Sequence, residues 1–308
     1  MRIGLFVGTL GSGETLEAQV QQIVDAERDG FDSFWVAQVA RVDAMTLFAV
    51  AGQRTRSIQM GTAVVPIFTR HPIVTAQQAL TTHAATSWRF NLGIGLSHKP
   101  AVENRFGMNF DRPALRMKEY LTILRSLVYD GKVDFHGRAY SSTAEISVPS
   151  AMPFPILVAA LGPRMLEIAG TLAEGTITWM VGPHTLETHT VPLIQKAAME
   201  AGRSKPRVCV GVPIAVTDDK AGAIETARER FGHYGELSSY RRMLDMEGFE
   251  SPADVAIVGN EREVEAKLRQ IASAGATELL ASVFPVGDDE KASVARTQLL
   301  LRTLVGKI

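Results

Sequence analysis

A loop histidine is the first residue in the sequence whose type and position could support proton chemistry. His98 ends the segment GIGLSH at 93–98, where Gly93 and Gly95 permit a ligand to approach the backbone closely. Ser97 adds a hydroxyl group for hydrogen bonding, and imidazole is the side chain whose pKa lies nearest neutrality. The segment indicates a proton donor or acceptor at His98, with a solvated loop histidine as the alternative.

A second segment, AALGPR at 159–164, has the pattern of an anion-binding turn. A short apolar strand leads into a tight turn at Gly162 and a helix that opens at Pro163. Unpaired N–H groups at the start of that helix, with Arg164 beside them, would favour a phosphate group. An ordinary connection between a strand and a helix has the same pattern and remains the alternative.

Sequence patterns of several other site classes are not matched. The glycine-rich loop at 8–13 departs from the dinucleotide-binding fingerprint, and Lys99 replaces the last glycine of a nucleophile elbow. His184 and His189 are five positions apart, which suits one helical face poorly, and no zinc signature accompanies them. We therefore expect no metal site.

The stretch SIQMGTAVVPIFTRHP at 57–72 predicts the central strand of the fold. Its apolar run has β-branched residues and little alternation, which is typical of a strand covered on both faces. Gly61, Thr62 and Ala63 place small residues near the strand end, where a flat ligand could approach the backbone. Pro72 is expected in the first turn of the next helix.

Strands and helices alternate along the chain. Strands are predicted at 3–7, 34–37, 58–65, 90–94, 155–159, 176–180, 208–214 and 278–283. Helices are predicted at 14–29, 43–53, 72–85, 113–129, 163–172, 183–201 and 289–304, with two or three helical pieces in 219–274 and a hairpin in 131–153. Eight strands followed by helices predict an α/β fold, a (β/α)8 TIM barrel with insertions and a single domain over 1–308. An open doubly wound sheet is the alternative.

Composition restricts the class of partner. The 308 residues carry a formal net charge of −1 and no block of like charges, so neither nucleic acid nor an anionic membrane is indicated. No apolar run approaches the ~18 residues of a membrane span, and the apolar N-terminal stretch is too short for a secretory signal. Cys209, in the apolar run VCVGVP, is expected in the core. A cytoplasmic protein with a small-molecule substrate is the expectation.

Several segments in this order resemble the bacterial luciferase-like monooxygenase superfamily, and within it the oxidoreductases that use coenzyme F420. The resemblance covers nearly the whole chain and is carried by FDSFWVAQ (31–38), GTAVVPIFTRHP (61–72), FNLGIGLSH (90–98), FDRPALRMKEYLTILRSL (110–127), VAALGPRMLEIAG (158–170), AEGTITW (173–179) and SSYRRMLDMEGFESPADVAIVG (238–259). It implies a barrel with the deazaflavin of F420 in its mouth, and a homodimer.

The resemblance also implies site residues. It gives a non-proline cis peptide at the end of strand three, between Ala63 and Val64, behind the deazaflavin ring. Leu96 and Ser97 would flank the cofactor. The phosphate-holding loop would consist of Ala160, Leu161, Gly162, Pro163, Arg164 and Met165.

The chain departs from the family pattern at two places. Gln38 and Val39 stand where many F420 relatives carry Asp followed by His; Gln38 can hydrogen-bond the ring but cannot act as a general acid or base. His98 replaces the Glu of the sugar-phosphate dehydrogenases of the family, which makes it the candidate proton donor. Phe6, Trp179 and Met180 are expected to wall the substrate pocket.

These features predict hydride transfer between C5 of the deazaflavin and a small organic substrate, with reduction of a C=C bond or an imine favoured. The first alternative is an FMN-dependent luciferase-like monooxygenase, because the same fold serves both chemistries. A further alternative is a non-catalytic ligand-binding barrel.

Overall fold

In the computed structural model, which describes residues 1–8 and 15–308, eight parallel strands close into a barrel. The strands of the chain are β1 (Arg2–Val7), β2 (Ser33–Val36), β3 (Gln59–Thr62), β4 (Val65–Pro66), β5 (Phe90–Gly95), β6 (Lys132–His136), β7 (Ser141–Glu145), β8 (Ile156–Ala159), β9 (Gly175–Trp179), β10 (Arg207–Val216), β11 (Ile257–Gly259) and β12 (Glu278–Val283). Neighbours around the barrel are β1, β2, β3, β5, β8, β9, β10 and β12, and β12 pairs with β1. The predicted TIM barrel is confirmed, and the open sheet is excluded.

The helices surround the barrel. They are α1 (Leu16–Arg28), α2 (Ala44–Gly52), α3 (Pro72–Ala85), α4 (Pro113–Tyr129), α5 (Pro163–Leu172), α6 (Pro183–Thr185), α7 (Val191–Glu200), α8 (Lys220–Phe231), α9 (Ser238–Glu247), α10 (Glu261–Ser273) and α11 (Glu290–Leu304). Short 3₁₀ helices span Ile67–Thr69, Gly232–Glu236 and Pro252–Val255, and π-helical turns span Ala101–Arg105 and Leu186–Thr190. Within the described residues, no helix has the length and apolarity needed to cross a bilayer.

Helix starts follow local sequence signals. Asp43 accepts a hydrogen bond from the Thr46 N–H at 2.9 Å and caps α2, as predicted. Proline opens α3, α4 and α5, where its missing N–H has no intrahelical partner to lose. These three helices and β12 have the predicted bounds. Residues 9–14, which include the predicted loop glycines and the start of the first helix, lie outside the described residues.

Two predicted elements are interrupted, and one strand was not predicted. The third barrel strand is split into β3 and β4 at Ala63 and Val64, and the expected helix at 183–201 contains the π-helical turn Leu186–Thr190. β10 continues beyond the barrel to pair with the three-residue β11, which is too short to show a period in the sequence. The assignment of 1–308 to one domain stays a prediction.

The apolar core has an outer and an inner part. The outer part fills the space between barrel and helices, and a small inner cluster fills the barrel itself. The inner cluster consists of Trp35, Leu157, Ile177, Cys209 and Leu280. Burial raises the pKa of the Cys209 thiol to about 12, so this cysteine is a core residue, as expected, and not a nucleophile.

A charged network closes the bottom of the barrel below the inner cluster. Glu278, which is fully buried, accepts hydrogen bonds from Ser33 Oγ at 2.6 Å, Trp35 Nε1 at 2.9 Å and Arg207 Nη2 at 2.8 Å, and it also pairs with Arg2. Burial raises the pKa of Glu278, but the two guanidinium groups and the Ser33 hydroxyl more than offset this effect, so the pKa is lowered. The carboxylate is therefore ionised and fully paired at neutral pH.

A buried histidine makes the stability of the fold depend on pH. His83 donates from Nδ1 to the Phe90 carbonyl oxygen at 3.1 Å, and burial lowers its pKa from 6.5 to about 4. Between pH 6.5 and 4, the unfolded chain therefore binds a proton at His83 that the folded chain does not bind. The free energy of unfolding decreases by about 3 kcal/mol as the pH is lowered across that window.

We expect His83→Asn, which keeps an N–H donor but does not titrate, to remove this component. Urea unfolding of wild type and variant at pH 6.5 and at pH 4 gives the free energy of unfolding that each protein loses between the two pH values. The wild type should lose more than the variant, and the difference is the contribution of His83. Equal losses in wild type and variant would contradict the assignment.

Candidate active site

A cavity of 1070 Å³ opens at the carboxyl ends of the barrel strands. This is the end at which TIM barrels carry their active sites. Twelve of the predicted site residues line it: Phe6, Gln38, Ala63, Val64, Leu96, Ser97, His98, Ala160, Leu161, Gly162, Met165 and Trp179. Strand ends that are far apart in sequence are thus brought together around one volume.

Three predicted residues lie away from the cavity wall. Met180 is buried in the outer core, in contrast to the expectation that it walls the pocket; it follows the end of β9 at Trp179 and has a left-handed φ of 56°, so the chain turns away from the barrel there. Pro163 and Arg164 are exposed and do not line the cavity. These two residues can contribute to ligand binding only by forming the first turn of α5.

The break in the third strand shapes one wall. The peptide bond between Ala63 and Val64 is cis, at the position that the resemblance gave. Across from it, the buried Gly95 packs closely against the Val64 side chain, since a Cβ atom at residue 95 would stand 2.5 Å from Val64 Cγ2. Ala63 and Val64 are half-buried, and all three residues line this part of the cavity.

His98 faces an aromatic cluster that the sequence did not point out. Its ring centroid is 5.8 Å from that of Tyr240 and 6.5 Å from that of Tyr234. Burial lowers the pKa of His98, and the neighbouring His233 lowers it further. The imidazole is therefore neutral at pH 7.

Ser97, just before it, has a left-handed φ of 59°. This conformation is uncommon for a residue with a side chain, and it turns the loop sharply after β5.

Trp179 extends the aromatic wall toward the barrel axis. Its ring packs edge-on against Phe6 at 5.4 Å and Tyr234 at 6.0 Å between centroids. Its indole nitrogen is buried and has no hydrogen-bond partner among the described residues. This wall suits an apolar or aromatic substrate better than a sugar, whose hydroxyl groups would need many polar partners.

Gln38 has a structural role that its sequence position does not reveal. Its Oε1 accepts a hydrogen bond from the Ala44 N–H at 2.7 Å and so caps α2 alongside Asp43. The amide oxygen is therefore held by the helix, and the amide nitrogen is the group with which Gln38 can meet a ligand.

The part of the cavity at the start of α5 has the features of an anion site. Helix α5 begins there, and no side chain of the described residues caps its first turn. Gly162 stands at the N-cap, and a guanidinium nitrogen of Arg242, on α9, lies 3.6 Å from where a Cβ of Gly162 would be. Among the described residues, four cationic side chains and one carboxylate line the cavity, namely Arg70, Lys99, Arg105, Arg230 and Glu236; Arg70 pairs with Asp43, Lys99 with Glu103 and Arg230 with Glu290. The uncapped helix terminus favours a phosphate group.

The sequence did not single out His233, Tyr234, Tyr240 and Arg242 as site residues, although Tyr240 and Arg242 lie in the segment 238–259 that carries the family resemblance. They come from the segment between α8 and α9 and from α9 itself; Tyr234 and Tyr240 face His98, and Arg242 lies near Gly162. The run GHYGELSSY at 232–240 is rich in aromatic and polar residues after a helix end, which is a further signal for this segment.

Together, the fold and the site define a (β/α)8 barrel enzyme with a large cavity at the carboxyl ends of its strands. Residues 1–297 match the family described as luciferase-like monooxygenase, and the chain belongs to that family. The expected family is confirmed.

Three curated relatives show the range of that family near this chain. An uncharacterized protein of Mycobacterium tuberculosis is 29% identical over 241 residues, which cover 73% of this chain and 71% of the relative. The "Putative coenzyme F420-dependent oxidoreductase" of the same organism is 26% identical over 240 residues (72% and 69%). The 5,10-methylenetetrahydromethanopterin reductase of Archaeoglobus fulgidus is 24% identical over 314 residues (92% and 93%).

Solved structures share the fold at low identity. An F420-dependent secondary alcohol dehydrogenase in complex with an F420-acetone adduct superposes with a TM-score of 0.81 at 18% identity, covering 97% of each chain. The oxygenating constituent of the FMN-bound 3,6-diketocamphane monooxygenase of Pseudomonas putida has a TM-score of 0.78 at 18% identity, covering 99% and 97%. The named relatives and neighbours are F420- or flavin-dependent oxidoreductases and monooxygenases, and the expectation that this chain is an oxidoreductase is confirmed.

The capping role of Gln38 predicts an effect on stability. We expect Gln38→Ala to lower the free energy of unfolding by about 1 kcal/mol, because the Ala44 N–H loses its acceptor. Gln38→Glu keeps an acceptor and should retain most of that energy. Urea unfolding of both variants measures the difference, and equal losses in the two would argue against the cap.

Proposed function

We propose that the protein is a coenzyme F420-dependent oxidoreductase that transfers a hydride between C5 of the deazaflavin and a small organic substrate, with reduction of a C=C bond or an imine favoured. The observation that carries the proposal is one cavity in which the broken third strand, the loop after β5 and the uncapped start of α5 meet. The F420-linked names among the relatives support the choice of cofactor.

The residues present fit this cofactor. Ala63, Val64 and Gly95 line the part of the cavity where a flat ring would lie, and the uncapped N-terminus of α5 at Gly162, with the Arg242 guanidinium nearby, would hold a phosphate. When bound, the deazaflavin supplies or accepts a hydride at C5. Ala160, Leu161, Gly162 and Met165 would hold the phosphate side, with Pro163 and Arg164 contributing through the helix start, while Leu96 and Ser97 flank the ring.

The protein's own contribution to the chemistry is orientation, exclusion of water and a proton. The aromatic wall of Phe6, Trp179 and Tyr234 would hold an apolar substrate against the ring and keep water from it. His98 would deliver a proton to the substrate atom that does not take the hydride. Because its pKa is lowered, only a small fraction carries that proton at pH 7.

A second candidate is FMN-dependent monooxygenation. It is favoured by the likeness to the FMN-bound monooxygenase constituent and by an anion site that suits any phosphate-bearing flavin. The two candidate functions differ in the cofactor ring that the cavity would bind. Both would use the same residues to bind the cofactor phosphate.

Cofactor titration separates the two candidates. We expect the purified protein to bind F420 with a dissociation constant in the micromolar range or below, and FMN far more weakly, as followed by quenching of cofactor fluorescence. A preference for FMN would replace the hydride-only reaction with monooxygenation. Binding of neither cofactor would overturn both and favour a ligand-binding barrel.

Replacement of His98 tests its assigned role. We expect His98→Ala to lower kcat for reduction by reduced F420 about 100-fold or more, with the F420 dissociation constant unchanged, because a positioned acid contributes about this much. In wild type, kcat should rise as pH falls below 6.5, since the lowered pKa means that protonation of His98 is reached only there.

The matched control is His98→Gln, which keeps a hydrogen-bond donor but cannot transfer a proton at these pH values. It should be as slow as His98→Ala and should lose the pH dependence. Wild-type turnover in either variant would remove His98 from the mechanism.

A further inference from the structure

His189, which the metal-site reasoning set aside, contacts the loop on the anion-binding side of the cavity. Its Nε2 lies 2.8 Å from the carbonyl oxygen of Leu161. A carbonyl oxygen can only accept, so Nε2 carries the hydrogen and donates it. The side chain is half-buried and does not line the cavity. The contact is therefore made from behind the loop.

This hydrogen bond fixes the orientation of the next N–H group. The peptide between Leu161 and Gly162 is trans, and in a planar trans peptide the C=O and N–H groups point in opposite directions. Because the Leu161 carbonyl points to His189, the Gly162 N–H points away from His189. Leu161 and Gly162 both line the cavity, so the N–H is directed to the side where an anion would lie.

His189 lies within the π-helical turn Leu186–Thr190. Here the Val191 N–H bonds to the Leu186 carbonyl five residues earlier, which widens the turn by one residue. Such π-helical turns are frequent at functional sites, and this one carries the imidazole that contacts the loop.

A second contact holds the same helix from the other side. Glu247, at the end of α9, accepts hydrogen bonds from the Thr185 N–H at 2.7 Å and the Thr185 hydroxyl at 2.6 Å. Arg242, on the same helix α9, is the residue that reaches Gly162. His189 and Arg242 thus approach neighbouring residues of the loop from two helical segments that the Thr185–Glu247 hydrogen bonds join to each other.

We propose that His189 is a positioning residue that holds the Leu161–Gly162 peptide so that the Gly162 N–H is presented to the phosphate of the bound cofactor. The proposal rests on the proposed function in so far as the ligand is a phosphate-bearing deazaflavin or flavin. It does not depend on which of the two it is.

The test compares each cofactor with its phosphate-free counterpart by fluorescence titration: F420 with its deazaflavin nucleoside, and FMN with riboflavin. We expect His189→Ala to raise the dissociation constant of the phosphate-bearing form about tenfold, as for the loss of one oriented hydrogen bond. The phosphate-free form should bind as in wild type. His189→Gln, whose amide nitrogen can replace Nε2, should restore binding to within about threefold.

The matched control is His184→Ala, which removes an exposed imidazole from the same helical segment and should leave all four dissociation constants unchanged. Equal weakening of phosphate-bearing and phosphate-free ligands in His189→Ala would overturn the positioning role, as would no weakening at all. If the wild type prefers FMN, and His189→Ala weakens the binding of FMN but not of riboflavin, the F420 assignment is refuted and the role of His189 is supported. Binding of no cofactor would overturn both.

Discussion

The site depends on how the barrel stays closed where its third strand is broken. Thr62, the last residue of β3, is fully buried, and its hydroxyl accepts from the Gly93 N–H at 2.9 Å and donates to the Gly93 carbonyl at 2.8 Å. A side chain thus replaces the backbone pairing between β3 and β5 at the point where the chain leaves the sheet. A Cβ on residue 93 would stand 2.0 Å from the Thr62 carbonyl oxygen, so this approach requires glycine. The displaced Ala63 and Val64 then form part of the cavity wall.

Below the cavity, the barrel interior is filled in two layers of different chemistry. An apolar layer around Trp35 and Ile177 forms the cavity floor, and the ionised Glu278 with its two arginines closes the bottom. Removing one member of such a buried ion pair leaves an uncompensated charge, which is strongly destabilising, so the lower layer tolerates little change. At the upper end of the barrel no such buried ion pair has to be kept among the described residues, and the residues there can bind a ligand.

The cavity wall combines two kinds of groups. The uncapped start of α5 offers backbone N–H groups, and Phe6, Trp179 and Tyr234 offer aromatic faces beside the neutral imidazole of His98. The same arrangement suits hydride transfer by a deazaflavin and monooxygenation by a flavin, because one fold can serve both chemistries. Which reaction takes place depends on which of the two rings binds.

The sequence by itself determined the barrel and the places where its site residues come from. Apolar runs mark the strands, proline and aspartate mark the helix starts, and parallel strands in a closed barrel put residues such as His98 and Gly162 at one end. Only the tertiary structure decided how these residues act. Gln38 caps a helix, Met180 points outward, Tyr234 and Tyr240 face His98, and His189 holds Leu161 from behind. Local patterns encode burial and turns over a few residues, whereas these contacts join segments far apart in the chain, and so only the packed structure specifies them.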